Sequence, residues 1–149
     1  MGVLIRQAKE SDIDWLLVEL KKFSVFYASK YDLYSKDEKY NRYLLDVLIK
    51  SHLFLIAEEN ELPIGFICGT VSGHFFNPEL KTLQEVFWWV KEEKRQGFAG
   101  AKLLQAFIDY GKANCQWVVM TLEDGSPVNP DSLLNRGFKP KECNFIMEV

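Results

Sequence analysis

Cysteine is scarce in this chain. Cys68, Cys115 and Cys143 are odd in number and far apart, so neither a disulfide framework nor a zinc site is indicated, and they read as reduced thiols of a cytoplasmic protein. No other metal-ligating motif stands out. Long apolar runs are missing too, since none approaches the ~20 residues needed to span a bilayer, and no membrane partner is expected. Basic excess is absent: 18 Lys and Arg stand against 21 Asp and Glu, a formal net charge of -3. A general nucleic-acid binder usually shows a basic face, so that class is set aside. The opening residues MGVLIRQAKESD turn polar too soon for a signal peptide and lack the Ser or Thr of a myristoylation site. Repeats, low-complexity tracts and linkers are also lacking, so residues 1–149 are expected to form one domain.

What is present is material for a core: 48% of residues are hydrophobic and 14% aromatic. Gly2 to Ala8 alternates as a first strand. Asp12 and Asp14 suit a helix start, and Ile13, Leu16, Leu17 and Leu20 follow at helical spacing, predicting a helix to about Phe23. Ser35 with Glu38 resembles a capping box ahead of a second helix ending near Ser51. Leu53 to Glu59 and Pro63 to Gly73 read as a hairpin turning at Asn60. A polar loop, NPELKTLQ, then leads to an apolar strand at Val86 to Val90. Leu103, Leu104, Phe107 and Ile108 mark a third long helix. Gln116 to Leu122 is a short buried strand, Asn129-Pro130-Asp131 opens a last helix stopping at Arg136-Gly137, and KPKECNFIMEV supplies closing strands. The order is β-α-α-β-β-β-α-β-α-β, an α/β domain with a mixed sheet.

One stretch carries chemistry. After Val90 come Lys91, Lys94 and Arg95, then the small residues Gly97, Ala99 and Gly100, then the helix with Lys102. The first amides of a helix lack internal partners and the dipole there favours negative charge, so small residues let an anion reach the backbone. The same residues also suit a plain tight turn with a solvated charged face. A P-loop and a dinucleotide fingerprint are excluded: no Lys-Ser or Lys-Thr closes the loop, and G-x-G-x-x-G is absent.

Val90 to Leu104, V-K-E-E-K-R-Q-G-F-A-G-A-K-L-L, resembles the acyl-CoA signature of the GNAT superfamily of N-acetyltransferases, V-x-P-x-x-R-G-x-G-x-G-x-x-L-L. Val90, Arg95, Gly100, Leu103 and Leu104 fall in register. The lead-in E-x-F-W-W-V, Glu85 to Val90, looks like small phage and bacterial members. Leu133 to Phe138, L-L-N-R-G-F, is similar to the family's L-Y-x-K-x-G-F ending. Glu92 stands where proline is common, and Phe98 occupies the first glycine slot of the R-x-x-G-x-G core. A second register, Lys94-Gly97-Ala99, restores that glycine but shifts the Leu pair out of phase. Leu133 takes the position where many members carry a tyrosine acid, and reads as a core leucine.

The resemblance implies a GNAT-like α/β domain, its mixed central sheet of six to seven strands flanked by about four helices. It places acetyl-CoA on Trp89 and Val90, on Arg95, Gln96, Gly97, Phe98, Ala99 and Gly100, and on Asn129, which also reads as a helix cap. No metal is implied. In the family the Val86 to Val90 strand splays from Gln116 to Leu122, leaving a slot for the pantetheine arm. A primary amine, on a small molecule or a protein, then attacks the thioester directly, with the Val90 amide stabilising the oxyanion. Glu85 is the candidate base. Alternation puts it beside Phe87 and Trp89, where desolvation would raise its pKa. His74 is the rival, better read as a packing residue. Trp88 and Trp89 should face opposite ways, one into the core. A phenylalanine at 98 can turn into the core while its amide still donates.

The acceptor pocket would be built from SVFYASKYDLY and GHFFNPELKTLQ, both aromatic-rich. Asp32, Asp37 and Glu38 would draw in a cationic amine, or form an ordinary solvated cluster. Exposed terminal strands in this fold often pair, so a homodimer is among the implied partners. The alternative to an enzyme is a module of the same fold that holds CoA without turnover.

Overall fold

The computed structural model describes residues 2–28 and 34–149. Strand β1 (Leu4–Gln7) leads through a 3-10 turn (Glu10–Asp12) into helix α1 (Ile13–Ala28), and α2 (Glu38–Ser51) follows. Strands β2 (Leu53–Glu59), β3 (Leu62–His74) and β4 (Asn77–Val90) come next. A second 3-10 turn (Glu92–Lys94) precedes α3 (Ala99–Asn114), then β5 (Trp117–Val119) and the short α4 (Asp131–Leu134). The strands form one sheet in the order β1-β2-β3-β4-β5, antiparallel except for the parallel β4/β5 pair. The sheet is therefore mixed, as expected.

Its central strands are buried on both faces, which is why LFLIA and IGFIC read as unbroken apolar runs. Phe54, Ile56, Phe66 and Trp89 pack against Leu16, Leu20, Leu45 and Leu48 of α1 and α2. Leu55, Ile67, Leu83 and Val90 pack against Leu103 and Phe107 of α3. Each such side chain contributes about 1.5–3 kcal/mol on burial, so these two layers hold the sheet between helices. At one end, Arg6 makes a two-pronged pair with Asp12, at 2.8 and 2.9 Å, and bonds Glu58 at 2.7 Å. Burial pushes the Asp12 carboxyl upward, but the Arg6 guanidinium and the Lys9 amide outweigh it and hold the group below the usual range.

Several expectations are corrected. The sheet has five strands among the described residues, not six to seven, because residues 139–149 take up neither helix nor strand. The supposed polar loop NPELKTLQ is the first part of β4, which pairs with β3 at Asn77 and again from Lys81 onward, across a two-residue tip at Phe75 and Phe76, with Pro78 to Leu80 in a register shift between. Its hydrophobic pattern is weak because Asn77 to Glu79 are exposed and only Leu83 is fully buried. Helix α1 runs five residues past Phe23. The cap of α2 is Asp37, which accepts from the amides of Lys39 and Tyr40, while Ser35 only receives the Asp37 amide. The Asn60 turn is as read: Asn60 and Glu61 have φ of 52° and 65° and join β2 to β3 in a two-residue loop.

A further departure matters for the site. Cys68 pairs with Phe87 but Gly69 pairs with Glu85, so Val86 is an extra residue in β4. This bulge resets the alternation. Leu83 therefore packs on the α3 side, whereas Phe87 and Trp89 pack on the α1 side. Across the bulge, alternation does not set Glu85 on the side of Phe87 and Trp89.

Candidate active site

β4 and β5 pair only at Thr82–Gln84 with Trp117–Val119. Past Gln84 they part, and β4 runs on to Val90 with no strand on that edge among the described residues. The Lys91 N–H donates to the Ile64 carbonyl at 2.9 Å. Antiparallel alternation then turns the Trp89 N–H toward β3 and the Trp88 and Val90 backbone groups toward the gap. The Val90 carbonyl indeed accepts a bond from outside the sheet, from Arg95 Nε at 3.0 Å.

A cavity of about 180 Å³ occupies this gap. Phe23 reaches it from α1, Glu85, Val86 and Trp88 line it from β4, and Thr121 to Glu123 line it from the segment after β5. The Glu85 carboxylate accepts weakly from the Thr121 N–H, at 3.4 Å. Burial is the main influence on its acidity; the Thr121 amide opposes it and the charge of Glu123 adds to it, leaving the pKa raised to about 7. A carboxyl poised there exchanges protons near neutral pH.

The bare turn lies at the far end of β4. Lys102 N–H makes the first helical bond, to the Phe98 carbonyl at 2.9 Å, so the amides of Phe98 to Ala101 lie ahead of the helix ladder. Phe98 gives no side-chain cap, and its ring is 78% exposed rather than turned into the core. A Cβ built on Gly100 would meet only Val90 Cγ2 at 3.7 Å and Trp88 Cζ2 at 3.9 Å, ordinary contact. Nothing in the fold itself requires a glycine here.

The cations expected around the turn are largely engaged elsewhere. Lys94 pairs with Glu59, Lys102 donates to the Val3 carbonyl, and the Arg95 guanidinium lies 4.4 Å over Trp89 and 5.1 Å over Phe26. Trp89 is the core member of the tryptophan pair: its ring is buried and its Nε1 donates to the buried Glu19 at 3.0 Å. Trp88 is the one that faces the gap. Asn129 caps the start of α4, its Oδ1 accepting from Asp131 N–H at 3.0 Å. Leu133 packs with Leu104 and Ile108 as a core leucine. His74 sits at the hairpin tip against Trp117 and Phe76, a packing role.

The acidic residues singled out for the acceptor do not gather here. Asp37 is a helix cap and Glu38 bonds Arg42, while Asp32 and the middle of SVFYASKYDLY lie outside the described residues. The cavity's acidic partner to Glu85 is instead Glu123, which reads in the sequence only as part of a Glu-Asp-Gly turn. Phe23, taken as the last residue of a helix, also reaches the cavity.

Solved structures show the same fold. A ribosomal-protein-alanine N-acetyltransferase of Brucella melitensis aligns at a TM-score of 0.76 and 14% identity over 100% of both chains. A predicted acetyltransferase of Clostridium acetobutylicum, solved with acetyl-CoA, aligns at 0.72 and 16% identity, covering 99% of this chain and 96% of the other. An aminoglycoside acetyltransferase from an uncultured soil metagenomic sample, in complex with sisomicin, aligns at 0.73 and 13%, covering 99% and 96%. No curated protein sequence matches significantly. The model of the acetyltransferase (GNAT) family matches residues 18–132, most of the chain and both strands of the gap, and the protein belongs to that family.

Proposed function

We propose that this chain is a cytoplasmic, single-domain N-acyltransferase that moves an acetyl group from acetyl-CoA to a primary amine by direct attack. The observation that carries this reading is Glu85, with a pKa near 7, in a gap toward which the Val90 N–H is also turned.

The residues fit the coenzyme. The amides of Phe98 to Ala101, with Gln96 and Gly97 before them, would hold the diphosphate, and Gly100 leaves room for it. The outward backbone of Trp88 and Val90 would pair with the pantetheine arm, as an added strand does. Arg95 would sit where arm and diphosphate meet, and Asn129 would contact the arm from the segment just before α4. When bound, acetyl-CoA supplies the acetyl thioester.

The chain's own contribution is to a proton and a charge. An amine acceptor arrives as ammonium and must lose a proton before it attacks. Glu85 takes it, directly or through one water. The Val90 N–H donates to the acetyl carbonyl oxygen as negative charge gathers there, a term commonly worth about 3–4 kcal/mol. The departing thiolate has no protein acid in this reading, because Leu133 is buried apolar core. Its thiol pKa, near the ~8.5 of a free cysteine, lets it leave unaided. The acceptors named for related structures, an aminoglycoside and a ribosomal protein, support an amine as the acceptor. Leu133 also favours a second reading, a module that binds CoA without turnover.

The pH dependence of kcat/KM separates the two. Glu85 must be ionised to act, so activity should rise with pH through about 7 and level off above it. Glu85→Gln should lower kcat by about 10²–10⁴-fold with acetyl-CoA affinity nearly unchanged. Equal activity of the variant across pH would remove Glu85 from the base role.

A further inference from the structure

We propose that Glu123 makes this cavity selective for acceptors carrying a second positive charge beyond the reacting amine, the chemical class of short diamines. The inference rests on the acyltransferase reading above and concerns the same site.

Two carboxylates share one cavity of about 180 Å³, and no Lys or Arg is among its described lining residues. The groups facing Glu85 are the Thr121 N–H and Glu123 from the segment after β5, with Ser126 further along it, Phe23 from α1, and Trp88 on its own strand. A confined pair of anions with no cation is satisfied in one of two ways, by a proton or by a cation from solution. Glu85 is the more buried of the two carboxylates. Glu123 is exposed to solvent and lines the same cavity. An acceptor with one amine at Glu85 and a second ammonium at the mouth matches that order of charges.

The aromatic lining strengthens the match, since Phe23 and Trp88 both line the cavity and aromatic rings attract a cation. The other acidic residues near the acceptor side offer no such place. Asp37 is spent on the α2 amides and Glu38 on Arg42. A mouth carboxylate in solvent is screened, so the preference should weaken with added salt.

The test is calorimetric binding of 1,4-diaminobutane and of n-butylamine to the CoA-loaded protein at low salt, for the wild type and Glu123→Gln. The expected result is up to about fivefold tighter binding of the diamine to the wild type, with the preference erased in the variant. Acetyl-CoA binding by the variant checks that its fold stands. Equal affinities in the wild type, a preference that survives Glu123→Gln, or no binding of either amine at millimolar concentration would each overturn the proposal. Turnover is scored separately. If the diamine preference holds but neither amine is acetylated, the acyltransferase reading fails and the carboxylate assignment stands. If both amines are acetylated but bind equally, only the assignment fails.

Discussion

Glu85 shows how one side chain can be costly to the fold and useful to the site. Its native pKa of about 7 lies above the 4.5 of a free carboxyl, chiefly through burial. Between those values the native state binds more protons than the unfolded state, so stability falls as pH rises through that window and stays low above it. Glu85→Gln removes the ionisable group and should be more stable than the wild type above pH 7, by up to about 3 kcal/mol, with the difference closing below pH 4.5. Denaturant unfolding at pH 4 and pH 8 measures this; a variant less stable at pH 8 would mean Glu85 is satisfied as an anion. Its place at the head of the apolar part of β4 was legible in the sequence. That of Glu123 was not, because an acidic turn gains meaning only where two distant segments meet. Trp89, which its motif position assigns to the coenzyme, has its ring buried in the α1 core and bonded to Glu19.

Elements set the gap through two glycines on α3 with opposite duties. At Gly111 a Cβ would lie 2.2 Å from Val118 Cγ2 of β5, so the helix touches that strand through bare backbone. Gly100 has only ordinary contacts. Gly111→Ala should therefore cost about 1–3 kcal/mol of stability through overpacking, whereas Gly100→Ala should leave stability unchanged or slightly raised, replacing a glycine within a helix. Thermal unfolding of the two variants checks the contrast, and matched losses would deny it. The helices and the hairpin were legible from period, caps and turn residues. β4 was read at half its length because its first residues, Asn77 to Glu79, are exposed and bury no face, so no hydrophobic pattern marks the start of the strand. The bulge at Val86 was equally hidden, since one extra residue leaves composition untouched. Residues 139–149 were read as closing strands, yet β5 spans only three residues and offers little edge to pair with.

The whole molecule turns on a parallel strand pair that begins together and then parts. Sequence order alone implies it: a strand, the α3 crossover and a second strand beside the first. The family match and the shared fold make this an acetyltransferase architecture, and the gap brings the helix start, the strand edge and Glu85 onto one line. The central claim is that the bare turn before α3 receives the coenzyme diphosphate. Calorimetric titration with acetyl-CoA tests it most directly, on the wild type and on Gly100→Asp, with 3′-dephospho-CoA and adenosine for comparison. The account predicts micromolar binding that survives loss of the 3′-phosphate, vanishes with adenosine alone, and is abolished when Asp puts bulk and negative charge at Gly100. Tight binding to Gly100→Asp, or no binding to the wild type at millimolar acetyl-CoA, would contradict it.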